Sequence, residues 1–200
     1  MAATVNPGKA AIRRVTKETE ISLSLDLGGG PVSAETPSGF FDHMLTSMAT
    51  HAGWGLELKA TGDARVDYHH TVEDAGIVLG EALAASLGDF SAHKRFASAL
   101  VPMDDALAEV ALDAGRRPYL FFKATFPQPY SSDFDFCLVE EFFRALAGKA
   151  GFTLHMEGKR GNNSHHLSEA LFKAFGMASK IALSPRDDGG TGPLSSKGVL

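Results

Sequence analysis

An α+β fold built from two similar halves is predicted for this 200-residue chain by three observations. One motif occurs twice, apolar residues alternate where strands belong, and apolar residues step by three and four where helices belong. The segment His69-His70-Thr71-Val72-Glu73 returns as His165-His166-Leu167-Ser168-Glu169, an offset of 96 residues, and Gly80 and Gly176 share that offset. Upstream lie two aromatic-rich stretches, Phe40-Phe41-Asp42-His43-Met44-Leu45 and Val139-Glu140-Glu141-Phe142-Phe143. Each is followed by a Gly-aromatic pair, Gly53-Trp54 and Gly151-Phe152, at an offset of 98. Two units are too few for a solenoid, so a duplicated fold packing against itself is expected. The halves are placed at residues 1–95 and 96–200, joined near residues 88–100, as one compact unit.

The elements follow in order. Ile21, Leu23, Leu25 and Leu27 alternate with Ser22, Ser24 and Asp26, the period of a half-buried strand, and Gly28-Gly29-Gly30-Pro31 breaks it. Helices are expected over Phe41–Ala52 and Val139–Ala150. After the first His pair, Val72, Gly76, Leu79, Leu83 and Leu87 mark an amphipathic helix, as Leu167, Leu171, Phe175 and Ala178 do after the second. Further strands are expected around residues 56–68, 107–113, 118–126 and 152–159. Each half is then a few strands plus two helices.

Composition narrows the function. Hydrophobic residues make up 44% and charged residues 22%, ordinary for a globular protein, and a net charge of −5 argues against a nucleic-acid binder. Cys137 is the one cysteine, which excludes an intramolecular disulfide and a thiolate metal cage and fits a reducing compartment. Met1 to Ala11 lacks the apolar core of a signal peptide, and no stretch reaches the roughly 18 apolar residues of a membrane span. A cytoplasmic protein is expected.

The repeated motif carries the chemistry. Successive residues on a helix diverge by about 100°, so adjacent imidazoles point in different directions. One His-His pair is poorly shaped to chelate a single ion but well shaped to serve two. Glu73 lies four residues from His69 and three from His70, so it can share a face with either. A lone pair of adjacent histidines is ordinarily a surface or core feature. Its repetition with Glu at equal spacing makes a binuclear site the better explanation. Imidazole plus carboxylate suits Mn, Fe, Zn, Co or Ni, and the spacing is not the H-E-x-x-H of zincins. The tail, Gly189-Gly190-Thr191-Gly192-Pro193-Leu194-Ser195-Ser196-Lys197-Gly198, lacks the order of a P-loop. Its amides, hydroxyls and ammonium can still cradle a phosphate, with Arg95, Arg117 and Lys173 adding charge.

Together the segments F-F-D-H-M-L, H-H-T-V-E-D, G-R-R-P-Y, L-V-E-E-F-F-R-A-L, N-N-S-H-H-L-S-E-A-L-F-K-A-F and P-L-S-S-K-G-V-L resemble the imidazoleglycerol-phosphate dehydratase family of histidine biosynthesis, from about Arg13 to Leu200. The resemblance implies an internally duplicated βα sandwich like the second domain of ribosomal protein S5. It also implies two Mn²⁺ per subunit and a homo-oligomer of 24 chains with metal sites at subunit interfaces. Carried over position by position, the metal ligands are His43, His69, His70, Glu73, Glu141, His165, His166 and Glu169, with Glu141 where some family members have His. Phosphate contacts fall on Arg95, Arg117, Lys173, Ser195 and Lys197. Glu18 matches the catalytic base, and His51 lies near the family's site. The implied reaction dehydrates D-erythro-imidazoleglycerol phosphate to imidazole acetol phosphate through a metal-bound imidazolate. Two other readings of the residues are a binuclear metal phosphoesterase and a non-enzymatic assembly stapled by metal.

Overall fold

The structure, a computed structural model, describes residues 2–132, 134–190, 192 and 194. Strand β1 (Ala2–Asn6) leads into the first half: β2 (Lys9–Val15), β3 (Thr19–Asp26), β4 (Val32–Glu35), α1 (Gly39–Ala52), β5 (Gly55–Gly62) and α2 (His69–Leu87). The second half repeats the series as β6 (Phe96–Met103), β7 (Ala106–Asp113), β8 (Tyr119–Lys123), then a short hairpin of β9 (Tyr130–Ser131) and β10 (Phe134–Asp135). It ends with α3 (Leu138–Ala150), β11 (Thr153–Arg160) and α4 (Ser164–Ala182). The first sheet has the order β1-β2-β3-β5-β4 and the second β6-β7-β11-β8, so removing β1 leaves two identical topologies. In each, one edge strand is parallel to its neighbour, β4 to β5 and β8 to β11, and the other pairs are antiparallel.

Strand β3 alternates buried and exposed positions along its length, as its sequence dictates, and its apolar face lies under helices. The helices α1 and α2 cover the first sheet, α3 and α4 the second, and the two helix layers meet with α1 against α4 and α2 against α3. Aromatic side chains seal this seam: Phe41 of the first half lies 5.4 Å from Phe142 of the second, and Trp54 lies 6.4 Å from Phe175, ring centroid to ring centroid. Gly53 and Gly151 end α1 and α3 with left-handed backbones, φ 72° and 73°, which turn Trp54 and Phe152 back into the core.

The sequence-based strand over 56–68 stops at Gly62; residues 63–68 form a loop that brings Asp63 and Asp67 to α2. The strand over 118–126 is shorter, β8 alone. Strands β1, β2, β4, β6, β9 and β10 have no counterpart in the sequence reading. In β6, Phe96 and Leu100 are exposed and only Val101 is fully buried, so no alternation of hydrophobic and polar residues announces it. That strand occupies part of the segment read as a junction.

The shared offset of Gly80 and Gly176 has a packing cause. A Cβ on Gly80 would lie 2.6 Å from the Leu146 carbonyl oxygen of α3, and one on Gly176 would collide with the Met48 carbonyl oxygen of α1. Backbone therefore touches backbone at both helix crossings. In an exposed helix Gly→Ala gains about 1 kcal/mol. Here Gly80→Ala and Gly176→Ala should each destabilise the protein by about 1–3 kcal/mol, the scale of overpacking. Chemical denaturation checks the sign, and a stabilised variant would show that the helices are not in contact there.

Candidate metal centre

Both His pairs sit in the first turn of a helix, and at each a side chain just upstream accepts from a His amide, although only α4 has it at the N-cap itself. Asp67 accepts a hydrogen bond from the His69 amide at 2.7 Å, and Asn163 accepts from the His165 and His166 amides at 2.9 and 3.4 Å. These side chains satisfy amides that the first helical turn leaves without partners. The same geometry fixes where the imidazoles emerge. The ring planes of His69 and His70 stand at 88° with centroids 5.9 Å apart, and those of His165 and His166 at 87° and 6.2 Å, so neither pair stacks.

The crossing of α1 and α4 gathers His43, His165 and Glu169. Their donor atoms lie within 4.8 Å of one another, and among the described residues this is the one group of three or more His, Cys, Asp or Glu side chains that could hold a metal ion. Glu169 Oε2 is 3.4 Å from His43 Nε2 and 3.5 Å from His165 Nε2. Donors about 2.1 Å from one ion sit about 3 Å apart, so small side-chain motions close this set around a cation. Glu169 is 8% exposed, and its other oxygen accepts from Lys173 Nζ at 2.8 Å. Burial pushes its carboxyl up, but the bond and charge of Lys173, with His43, outweigh that and leave it below the ordinary value.

The related set at the α2–α3 crossing is not gathered in the same way. His69 Nε2 lies 3.9 Å from Glu73 Oε2, but Glu141 faces Arg144 of its own helix at 3.7 Å. Where α1 carries an imidazole at this repeat position, α3 carries a carboxylate, and that carboxylate pairs with the guanidinium of its own helix. His70 and His166 turn away from both crossings. His70 Nδ1 is bonded to Asp63 at 2.9 Å and faces Glu18 through Nε2 at 3.9 Å. His166 Nδ1 is bonded to Asp105 at 2.7 Å and faces Asp104 through Nε2 at 3.6 Å. The Asp63 hydrogen bond, above all, raises the His70 pKa against the pull of burial, and the charge of Glu18 adds to it.

The cations expected for phosphate divide into two places. Lys173 belongs to the His43 group. Arg95 is buried against Asp113, with contacts of 2.6 and 3.1 Å, and donates to the Leu194 carbonyl. Arg117 reaches Asp113 at 3.2 Å and is 72% exposed. The Arg95 amide bonds the carbonyl of Ala182, at the far end of α4. From Glu169 to Ala182 the helix advances about 20 Å. Within one chain, Arg95 and Arg117 therefore lie far from His43. His51, in the last turn of α1, bonds the Ser47 carbonyl at 2.8 Å and stands two turns from His43. Ser195 and Lys197 lie outside the described residues. Asp63, Asp104 and Asp105 went unseen in the sequence: Asp104-Asp105 reads as an ordinary turn, and Asp63 sits where a strand was expected.

A sequence profile of the imidazoleglycerol-phosphate dehydratase family matches residues 36–179. The chain belongs to that family. It is 48% identical over 194 residues to the imidazoleglycerol-phosphate dehydratase of Gluconobacter oxydans, covering 96% of this chain and 97% of the relative. The same enzyme of Acetivibrio thermocellus is 48% identical over 193 residues, covering 96% and 98%. Among solved structures, imidazoleglycerol-phosphate dehydratase from Staphylococcus aureus superposes with a TM-score of 0.80 at 39% identity, over 88% of this chain and 98% of that one. The Pyrococcus furiosus protein in complex with (S)-C348 gives a TM-score of 0.82 at 38% identity, over 94% and 100%. The duplicated α+β architecture is therefore shared with the family's solved members, and the phosphoesterase reading finds no support.

One acid-base consequence is measurable. The His166 hydrogen bond is the main cause that lowers Asp105 from the ordinary 3.8 to about 2, aided by the Asn162 amide. A depressed carboxyl stabilises the fold above its unfolded value, and that contribution is lost as pH falls from about 4 toward about 2. In metal-free protein, ¹³C NMR of the Asp105 carboxyl should show this low midpoint, and His166→Ala should move it back up. An unmoved midpoint would mean that the His166 bond does not form.

Proposed function

We propose that the His and Glu residues at the two helix crossings hold two Mn²⁺ per subunit and that they serve the reaction of the family. This chain dehydrates imidazoleglycerol phosphate, a lyase step of histidine biosynthesis. The observation that carries the metal reading is the meeting of His43, His165 and Glu169 across α1 and α4. These three residues hold one ion; His69, Glu73 and Glu141 hold the other, and His70 and His166 complete sites with neighbouring copies. Glu141 would join by releasing Arg144, a bound cation offsetting the loss of that ion pair.

When bound, the metal pair supplies a Lewis acid that stabilises negative charge on the substrate imidazole. The residues do the rest. The proton to be lost lies on a carbon with no carbonyl beside it, and Glu18, beside His70, accepts it. The hydroxyl on the carbon next to the ring leaves as water, and the resulting enol tautomerises to the ketone. Arg95, Arg117, Lys173, Ser195 and Lys197 anchor the phosphate and orient the reacting carbons. Because Arg95 and Arg117 lie at the far end of α4 from His43, they serve a metal centre of another copy. That separation supports an interface site, and the number of 24 chains is taken from the family resemblance. The same reading takes residues 1–95 and 96–200 as half-repeats of one catalytic unit with the ribosomal S5 domain 2-like fold, working in the cytoplasm. Among the described residues, no helix is long and apolar enough to cross a membrane.

Glu18 lies outside both repeats, so Glu18→Gln should retain metal and substrate affinity while turnover falls about a hundredfold or more, the scale of a lost general base. The assay follows a ketone that keeps its phosphate. An unchanged rate removes Glu18 from the chemistry, and release of inorganic phosphate instead of the ketone overturns the dehydration itself.

Assembly gives a separate test. A metal bridging chains binds the assembled state better than its parts and so stabilises it by linkage. Chelation should break the particle into small oligomers, and Mn²⁺ should rebuild it, as followed by light scattering. Constant mass after verified metal loss would place the sites within single chains.

A further inference from the structure

We infer that Asp63 and Asp105 are positioning residues for His70 and His166, each holding one imidazole by its Nδ1–H so that the lone pair on Nε2 is left to bind metal. The inference rests on the metal reading above. A neutral imidazole carries one proton, on either nitrogen, and a carboxylate can only accept. With Asp63 2.9 Å from His70 Nδ1 and Asp105 2.7 Å from His166 Nδ1, the proton belongs on Nδ1 in both rings. The nearest carboxylate oxygens to Nε2, on Glu18 and Asp104, are 3.9 and 3.6 Å away, too far for a hydrogen bond. An anionic partner on the far nitrogen also strengthens the imidazole as a donor.

Three features single out these two aspartates. First, duplication does not account for them. At the repeat offset from Asp63 stands Lys159, and at that from Asp105 stands Lys9. One carboxylate follows β5 and the other sits in the β6–β7 turn, so the two halves reach one hydrogen bond by different routes. Second, each aspartate is tied to a neighbouring loop. Asp105 accepts from the Asn162 and Asn163 amides at 2.5 and 3.2 Å, next to the N-cap of α4. The Asp63 amide donates to the Glu18 carbonyl at 3.1 Å, which ties the orientation of His70 to the segment bearing the proposed base. Third, Asp63 Oδ1 is buried without a protein hydrogen-bond partner. Such an oxygen costs stability, so the bond of Oδ2 to His70 is what this carboxylate is placed to make.

The test compares Asp63→Ala, Asp63→Asn, Asp105→Ala and Asp105→Asn with His70→Ala and His166→Ala. Mn²⁺ alone is titrated by calorimetry, and ring ¹⁵N shifts of His70 and His166 are read in metal-free protein. The native rings should show the Nδ1-protonated tautomer. The Ala variants should lose about 10–100-fold in Mn²⁺ affinity at the site served by the affected ring, and that ring should leave the tautomer. The Asn variants, whose amide oxygen still accepts, should keep the tautomer and lose less. Among the described residues, no backbone amide bonds the Asp63 side chain, so Asp63→Ala decides the matter if Asp105→Ala fails to fold. If His70→Ala and His166→Ala lose metal while the Asp variants keep both affinity and tautomer, the positioning role is overturned alone. If His70→Ala and His166→Ala keep full metal affinity, the metal reading falls first.

Discussion

The site depends on how closely two pairs of helices approach. At Gly176 the backbone of α4 rests on the backbone of α1, and at Gly80 the backbone of α2 rests on that of α3. A methyl group at either crossing would force the helices apart. The first turn of α4 carries His165 and its second carries Glu169, so a shift of α4 would carry both away from His43. A donor set whose members already lie within 4.8 Å tolerates little of that. The aromatic seam in which Phe41 and Trp54 of the first half meet Phe142 and Phe175 of the second holds the layers together by burying apolar surface, and the glycines set the distance at which it does so.

The two crossings share geometry but not chemistry. At α1 and α4 an imidazole faces a carboxylate, which attract or at worst tolerate each other. At α3 the repeat position of His43 holds Glu141, which pairs with Arg144 of its own helix. Duplication therefore supplied two scaffolds of one shape, and a single residue difference, His43 against Glu141, made them unequal. Two carboxylates and one imidazole give a more anionic site than two imidazoles and one carboxylate, so the two centres should differ in their hold on a cation even with the same backbone.

Charge is distributed so that few carboxylates near the site stand alone. Glu169 has Lys173 and two histidines, Asp63 has His70, Asp105 has His166 and two backbone amides, and Asp113 has Arg95 and Arg117. The last of these matters for the proposed phosphate contacts. Arg95 is committed to Asp113 by two of its nitrogens, and its third reaches the Leu194 carbonyl. It therefore ties Leu194, at the start of the tail, to the body of the protein.

The duplication, the helices that carry the His pairs and the His-His-x-x-Glu chemistry were legible in the sequence because each is local. A 3.6-residue period, a repeated spacing and a helix's angular step are set by the backbone itself. The shared offset of Gly80 and Gly176 was visible too, but its meaning was not: only the packed helices show a backbone contact. Strands β1, β2, β4, β6, β9 and β10 escaped notice because short, edge and weakly alternating strands leave too little pattern. Which histidine serves which centre was open from spacing alone, since Glu73 could face either of its neighbours. Tertiary structure decided that His165 joins His43 and Glu169, that Glu141 stands apart, and that Asp63 and Asp105 grip the second histidine of each pair. Those contacts join residues tens of positions apart, and no local rule fixes such distances. They follow from where the sheets place the loops and how closely the helices can approach.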